Sequence, residues 1–268
     1  MKKFLSALLL LLAAQAFGQV PSDSAFFHEM EDSVSALTVK RIRKPERLLK
    51  LIIRRLGQDA EKKHETGRYK VDATFNQDYL LPFSASLLLK AEAGVGLGKV
   101  DVEKFSYSGT YELAQQDTGL IKSHLLQFAT LSPVHAHKAY HGYSKAISPL
   151  VNAKETLRCY DVTADSIADA RGRTVLRFRF SWKERQRDDF DWERYQGHIA
   201  GTAYFDCRSL AIRQFRGEAH LPSLKYITDL GYEIRYVREK GLPVVGRISI
   251  DGHKEDMQMK AIVQKVNL

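Results

Sequence analysis

The sequence predicts a mainly β (α+β) fold, a curved antiparallel β-meander of half-barrel type covering one N-terminal amphipathic helix. Three observations predict it. Apolar and polar residues alternate with a period of two through most of the chain after Arg68, the mark of antiparallel strands with one dry and one wet face. Short turn-forming sequences separate these runs, so consecutive strands should pair as hairpins. A clear helical periodicity lies ahead of them, at Leu48 to Leu56.

The chain opens with Lys2 and Lys3, an apolar run from Phe4 to Ala14, and the small residues Ala14, Ala16 and Gly18. A charged start, a short apolar core and a small-residue exit read as a secretory signal peptide. The core is too short to span a hydrocarbon layer of ~30 Å as a helix. Residues 1–18 are expected to be the signal peptide, 19–44 a polar lead-in, and 45–268 a single β half-barrel domain with its helix at 45–56. The expected location is the periplasm or the periphery of an outer membrane. The two cysteines, Cys159 and Cys207, lie far from the signal exit, so a lipoprotein is not expected. An oxidising compartment permits a bridge between them, but two half-buried thiols are the preferred reading.

Formal net charge is +9, or +7 without the two signal lysines. An exported basic protein suits an anionic membrane surface or lipid as partner, against the alternative that the charge serves solubility alone. Nucleic acid is not expected outside the cytoplasm, and no particular protein partner is indicated. No later apolar stretch reaches transmembrane length, so a soluble or peripherally bound protein is expected.

Pro45 suits a first helical turn and Gly57 the position after the last one. Between them Leu48, Leu49, Ile52, Ile53 and Leu56 form the apolar stripe. Arg47, Lys50, Arg54 and Arg55 fall mainly on the other side and are the candidate membrane-facing residues. A plain solvated helix face is the competing, slightly favoured reading. The first strand follows at Arg68 to Tyr79, with Tyr69, Val71, Ala73 and Phe75 on one face. Leu81 to Gly98 reads as strand or short helix ending in a flexible glycine-rich turn. Val102 to Leu113 carries Phe105, Tyr107 and Tyr111. Later strands place Leu176, Phe178, Phe180 and Trp182 together, then Ile199, Ala203 and Phe205, then Leu210 and Ile212. Leu230, Tyr232, Ile234 and Tyr236 follow, then Val244, Ile248 and Ile250, and last Met257, Met259, Ala261 and Val263. Turns are expected at Ala170–Gly172, Asp206–Ser209, Glu239–Gly241 and Asp251–His253. The aromatic sheet face needs cover, and the aliphatic stripe of the helix is the economical one.

Gly201-Thr202-Ala203-Tyr204-Phe205-Asp206, followed by Ala211-Ile212, resembles a signature of exported envelope proteins. Tyr160-Asp161-Val162 with its downstream strand to Phe180, and the helix ending near Leu56 before the strand at Tyr69, are similar too. Together they resemble the uncharacterised domain that often follows a carboxypeptidase-regulatory-like module in Gram-negative secreted proteins. They also resemble the outer-membrane lipoprotein carriers of the LolA/LolB type. That resemblance implies a half-barrel wrapped around helices, with an interior that holds an acyl chain. The regulatory-like module itself has no room in the short mature N-terminus.

Sharper chemistry is sparse. His135, His137 and His141 form a candidate metal site, since neutral imidazoles at alternating loop positions can share zinc or copper. A solvated His-rich loop between Pro133 and Pro149 is preferred. Asp188, Asp189, Asp191 and Glu193 lack the glycine and terminal glutamate of a calcium loop, and basic neighbours point to a solvated hairpin. Gly94-Val95-Gly96-Leu97-Gly98 fits no nucleotide-binding fingerprint, and no serine elbow occurs. The reading is therefore a non-enzymatic envelope protein with no cofactor and no catalytic residues. Its concave aromatic face (Phe178, Phe180, Trp182, Tyr232, Tyr236) is either a pocket for a lipid or other apolar ligand, or the filled core of a structural or interaction module. A metal-dependent hydrolase using the His135–His141 loop is the remaining alternative.

Overall fold

The computed structural model describes residues 38–62, 64–77, 80–109, 115–134, 137–138, 145–168, 174–183, 197–220, 229–254 and 257–266. The expected signal peptide, most of the lead-in, Tyr111, the Ala170–Gly172 turn, the Asp188–Glu193 run, His135 and His141 lie outside the described residues.

Alternation becomes strand as expected. The strands are β1 (Thr38–Arg41), β2 (Thr66–Gln77), β3 (Leu80–Ala93), β4 (Leu97–Ser108), β5 (His137–Lys138), β6 (Lys145–Ile147) and β7 (Tyr160–Ala168). They continue with β8 (Thr174–Trp182), β9 (Gly197–Asp206), β10 (Ile212–His220), β11 (Asp229–Glu239), β12 (Leu242–Lys254) and β13 (Met257–Val266). One open, curved antiparallel sheet carries them in the order β1-β7-β8-β9-β10-β11-β12-β13-β2-β3-β4. Two meanders are thus joined where β13 pairs with β2, from Met257 opposite Gln77 to Val266 opposite Arg68. The short β6 pairs in parallel with the start of β9 and in antiparallel with β5.

Most residues assigned to the dry face are buried, while Phe105, Tyr107, Trp182 and Leu210 are half-buried. Tyr69, Val71, Ala73, Phe75, Phe178, Phe180, Ile199, Ala203, Phe205, Tyr232, Ile234, Tyr236, Ile248, Ile250, Met259, Ala261 and Val263 belong to one hydrophobic core. Leu81–Gly98 resolves as strand β3 followed by a tight connection. The Gly94–Gly96 segment is buried, not a free flexible turn. The Val245 amide donates to Gly94 O (2.9 Å), and the hydroxyls of Tyr236 and Ser132 donate to Val95 O (3.2 Å each). The expected turn at Asp251–His253 is instead the last part of β12. Partners on both sides extend that strand, with Asp229 opposite His253 and Asp251 opposite Lys260.

Three helices accompany the sheet: α1 (Pro45–Ala60), α2 (Gln115–Ala129) and α3 (Ala153–Cys159). Helix α1 runs one turn past the expected end at Leu56, carrying Gly57 in its exposed side. That extra turn is anchored by Asp59, which is fully buried and paired with Lys62 (3.0 Å). Arg55 Nε also lies 3.3 Å from Asp59 Oδ2, an ion pair without hydrogen-bond geometry. Leu49, Ile52 and Leu56 are fully buried, and α1 packs on β7 and α3. It therefore covers only part of the sheet. Helix α2 packs on β2, β3 and β13. Residues 123–129 of α2 are buried on every side, so its sequence carries no amphipathic stripe to be read. Helix α3 is started by Asn152, whose side-chain Oδ1 accepts from the Lys154 (2.8 Å) and Glu155 (3.4 Å) amides.

Both cysteines are free thiols, but neither is half-buried as expected: Cys159 ends α3 inside the core, and Cys207 is exposed in a tight turn. Cys207 belongs to the expected turn after Asp206. There the Asp206 carboxylate accepts from the Ser209 amide (2.7 Å), the Ser209 hydroxyl (2.8 Å), the Arg208 amide (3.1 Å) and Arg213 (3.2 Å). Partial burial opposes the charge, but the Ser209 groups and the Arg213 guanidinium outweigh it and hold this carboxyl at about 2. An unfolded aspartate titrates near ~3.9. The charged turn thus contributes its full stabilisation, about 1 kcal/mol once solvent screening of this part-exposed carboxylate is allowed for, above roughly pH 4 and loses it as pH falls toward 2. Asp206→Asn should lower the urea midpoint at pH 7 and flatten its decline between pH 4 and 2. A mutant that tracks the parent across that window would contradict this.

Candidate functional site

Helix α1 is the element on which inward and outward chemistry diverge most sharply. With Leu49, Ile52 and Leu56 fixed against β7 and α3, the pitch of the helix turns Arg47, Lys50 and Arg54 outward. All three are exposed, and none forms an ion pair with a described residue. Arg55, the fourth residue of the expected set, differs because it is committed to Asp59. Leu51 lies on the same outer side, four residues after Arg47 and three before Arg54, and is 55% exposed. An apolar side chain surrounded by three uncompensated cations suits the boundary between lipid headgroups and acyl chains. Leu51 interrupts the inward periodicity, which is why reading the stripe alone passes over it.

The five aromatic residues do not share one environment. Phe178 and Phe180 stack with centroids 6.3 Å apart, and Phe205 meets Phe178 edge-on at 5.8 Å. Tyr160, which the sequence reading did not single out as an aromatic, meets Phe180 at 6.4 Å and Trp182 at 5.4 Å. Trp182 is half-buried and stacks on His198 at 4.5 Å. Tyr236 is fully buried and its hydroxyl is satisfied by Val95 O. Tyr232 stacks on Phe215 at 5.5 Å, is 5% exposed, and its hydroxyl has no hydrogen-bond partner among the described residues. Burial, and then the neighbouring hydroxyls of Tyr236 and Tyr160, push its ionisation far above the ordinary phenol range. Four of the five side chains are therefore core, and one of them holds an unpaired polar atom inside it.

Of the candidate metal ligands, only the backbone of His137 is described, in β5 opposite Ala146. Among the described residues no group of three His, Cys, Asp or Glu side chains is placed to hold a metal ion. Sheet register does assemble a row that sequence spacing hides: His198, His220, Asp229 and His253 stand opposite one another on β9 to β12. His220 Nδ1 is 2.6 Å from Asp229 Oδ1, and the rings of His198 and His220 are 5.7 Å apart. Burial, and then the adjacent His220, depress His198 to about 4, so it is neutral at physiological pH.

No helix among the described residues is long and apolar enough to cross a membrane. No protein-family model matches the chain, and no curated protein does. Two solved structures are similar over most of their length. One is a LolA-superfamily protein from Nitrosomonas europaea, 9% identical, covering 82% of this chain and 94% of that one with a TM-score of 0.30. The other is a DUF1329-family protein from Desulfovibrio piger, 10% identical, covering 84% and 95% with a TM-score of 0.22. Likenesses this distant carry no functional argument.

Proposed function

We propose that the chain is a non-enzymatic, exported envelope protein that works against an anionic lipid surface, docking through the outer side of α1. The observation that carries this reading is the trio Arg47, Lys50 and Arg54 around the exposed Leu51, on a helix whose opposite side is locked into the core. Each basic residue near an anionic bilayer contributes ~1 kcal/mol. Substituting all three by glutamine should weaken binding to phosphatidylglycerol vesicles about a hundredfold at low salt. Raising ionic strength toward 1 M shrinks the screening length to ~3 Å and should release the parent protein as well. Vesicle co-sedimentation that is indifferent to both the substitutions and salt would refute the reading.

The unpaired Tyr232 hydroxyl favours a second, compatible reading, in which the half-barrel interior takes a lipid or other apolar ligand with one polar group. A buried hydroxyl without a partner costs ~1–3 kcal/mol, and a ligand oxygen would remove that cost. Tyr232→Phe should leave the empty protein as stable or slightly more stable, while lowering the lipid recovered by organic extraction and mass spectrometry. Clear destabilisation of lipid-free protein by Tyr232→Phe would sink the idea, because the hydroxyl would then already be satisfied.

A further inference from the structure

We infer that the cleft between the end of β1, the start of α1 and β7 is a binding site for a phosphate group. It has a volume of about 520 Å³ and is lined by Arg41, Arg43, Glu46 and Thr163 together with apolar and backbone surface. Ligand sites for small molecules fall in a range of ~300–1,000 Å³, so the cleft has room for a phosphate ester and not only a bare ion.

The charge balance around the cleft is what points to an anion. Arg41 stands opposite Asp165 in the β1–β7 register, and Asp165 is the natural counter-ion for it. That carboxylate is already engaged. Arg177 donates to both of its oxygens, Nε to Oδ1 at 2.8 Å and Nη2 to Oδ2 at 3.0 Å, and Arg179 adds a third bond to Oδ2 at 3.0 Å. Arg41 and Arg43 are exposed and have no ion pair with a described residue. Within the cleft Arg41 and Arg43 therefore meet one carboxylate, Glu46, while Asp165, the register partner of Arg41, is fully used by Arg177 and Arg179. Two free guanidiniums on one cleft match the three terminal oxygens of a phosphate monoester, one of which the two forks can share. A carboxylate or a phosphodiester offers only two such oxygens and would leave one fork unfilled.

This inference rests on the proposed lipid-surface function for the source of the phosphate, since the cleft opens at the first turn of α1, beside Arg47. Its chemistry does not, because a free phosphate ester presents the same oxygens. The test uses the full mature chain and three probes: soluble glycerol 3-phosphate, phosphatidic acid vesicles, and vesicles of equal charge density whose anionic component is a carboxylate lipid. The wild type should bind glycerol 3-phosphate measurably by calorimetry, or prefer phosphate vesicles over carboxylate vesicles. Arg41→Gln/Arg43→Gln should weaken the first at least tenfold and abolish the second. Circular dichroism should be unchanged, because both side chains are exposed. Arg41→Lys keeps the charge without the fork and should give an intermediate loss.

Saturation at equal phosphate concentration in soluble and vesicle form marks a free ester as the ligand, and tighter vesicle binding marks a headgroup. Both outcomes support the site. The soluble arm is read without any membrane, so it stands even where docking through α1 fails. Equal binding of phosphate and carboxylate vesicles with no binding of glycerol 3-phosphate would overturn the assignment. So would a double variant indistinguishable from wild type.

Discussion

Gly201→Ala should cost about 3–5 kcal/mol or leave the protein insoluble, although it adds only one methyl group. Gly201 lies opposite Gly217 in the β9–β10 pair, and the row continues to Phe180 on one side and Tyr232 on the other. Its φ is +147°, a region that side-chain-bearing residues rarely adopt, and a Cβ there would sit 2.2 Å from Arg216 O and 2.5 Å from the Gly217 Cα. Those atoms are backbone and have nowhere to go. At Gly217 a Cβ would meet Ala200 O at 2.0 Å and the Phe215 ring at 2.7 Å. Backbone of the facing strand and the Phe215 ring thus occupy the space where side chains would stand. Gly231→Ala is the matched control, because its Cβ would come no nearer than 3.5 Å to Asp251 O. That change should stay within about 1 kcal/mol in a urea titration. A Gly201→Ala protein with the parent's midpoint would show that the two strands do not approach this closely at Gly201.

The second large effect divides two neighbouring residues. Ile52→Ala should destabilise the protein by about 2–5 kcal/mol, since Ile52 is fully buried between α1 and the sheet. Leu51→Ala, one position earlier, should change stability by less than about 0.5 kcal/mol and yet weaken attachment to phosphatidylglycerol vesicles. Stability and vesicle binding measured on the same two proteins therefore give opposite orders. If Leu51→Ala unfolds the protein, or Ile52→Ala leaves it untouched, then α1 is rotated from the orientation on which its outward chemistry depends.

Much of this architecture was legible because a single rule, period-two alternation, governs a sheet with one dry face. Tyr69 to Phe75, Leu230 to Tyr236 and Met259 to Val263 needed nothing else. Local chemistry also sufficed for the Asp206–Ser209 turn. Where the rule fails, the cause is tertiary. The second half of helix α2 is buried all round, so its pattern is featureless. Gly94–Gly96 has the composition of a free turn, but its carbonyls are used by Val245, Tyr236 and Ser132, all distant in sequence. Asp251–His253 looks like a turn until β11 and β13 are seen to flank it.

Function was less legible for the same reason. The basic side of α1 could be listed from its sequence. That Arg55 is spent on Asp59, that Leu51 is exposed, and that Asp165 is occupied by Arg177 and Arg179 are facts of packing. The sharpest motif in the sequence, His135 to His141, lies largely outside the described residues. The histidine row on β9 to β12 exists only through strand register.

The central claim, that α1 meets an anionic lipid surface with its outer side while its inner stripe stays docked, is open to one direct measurement. In a Cys207→Ser background, which leaves only the buried Cys159 thiol, Leu51→Cys can carry an environment-sensitive fluorophore. Adding phosphatidylglycerol vesicles at low salt should shift its emission to the blue, neutral phosphatidylcholine vesicles should not, and the far-ultraviolet dichroism should stay constant. Emission that stays unchanged while the protein sediments with the vesicles would place the contact elsewhere on the molecule and contradict the account.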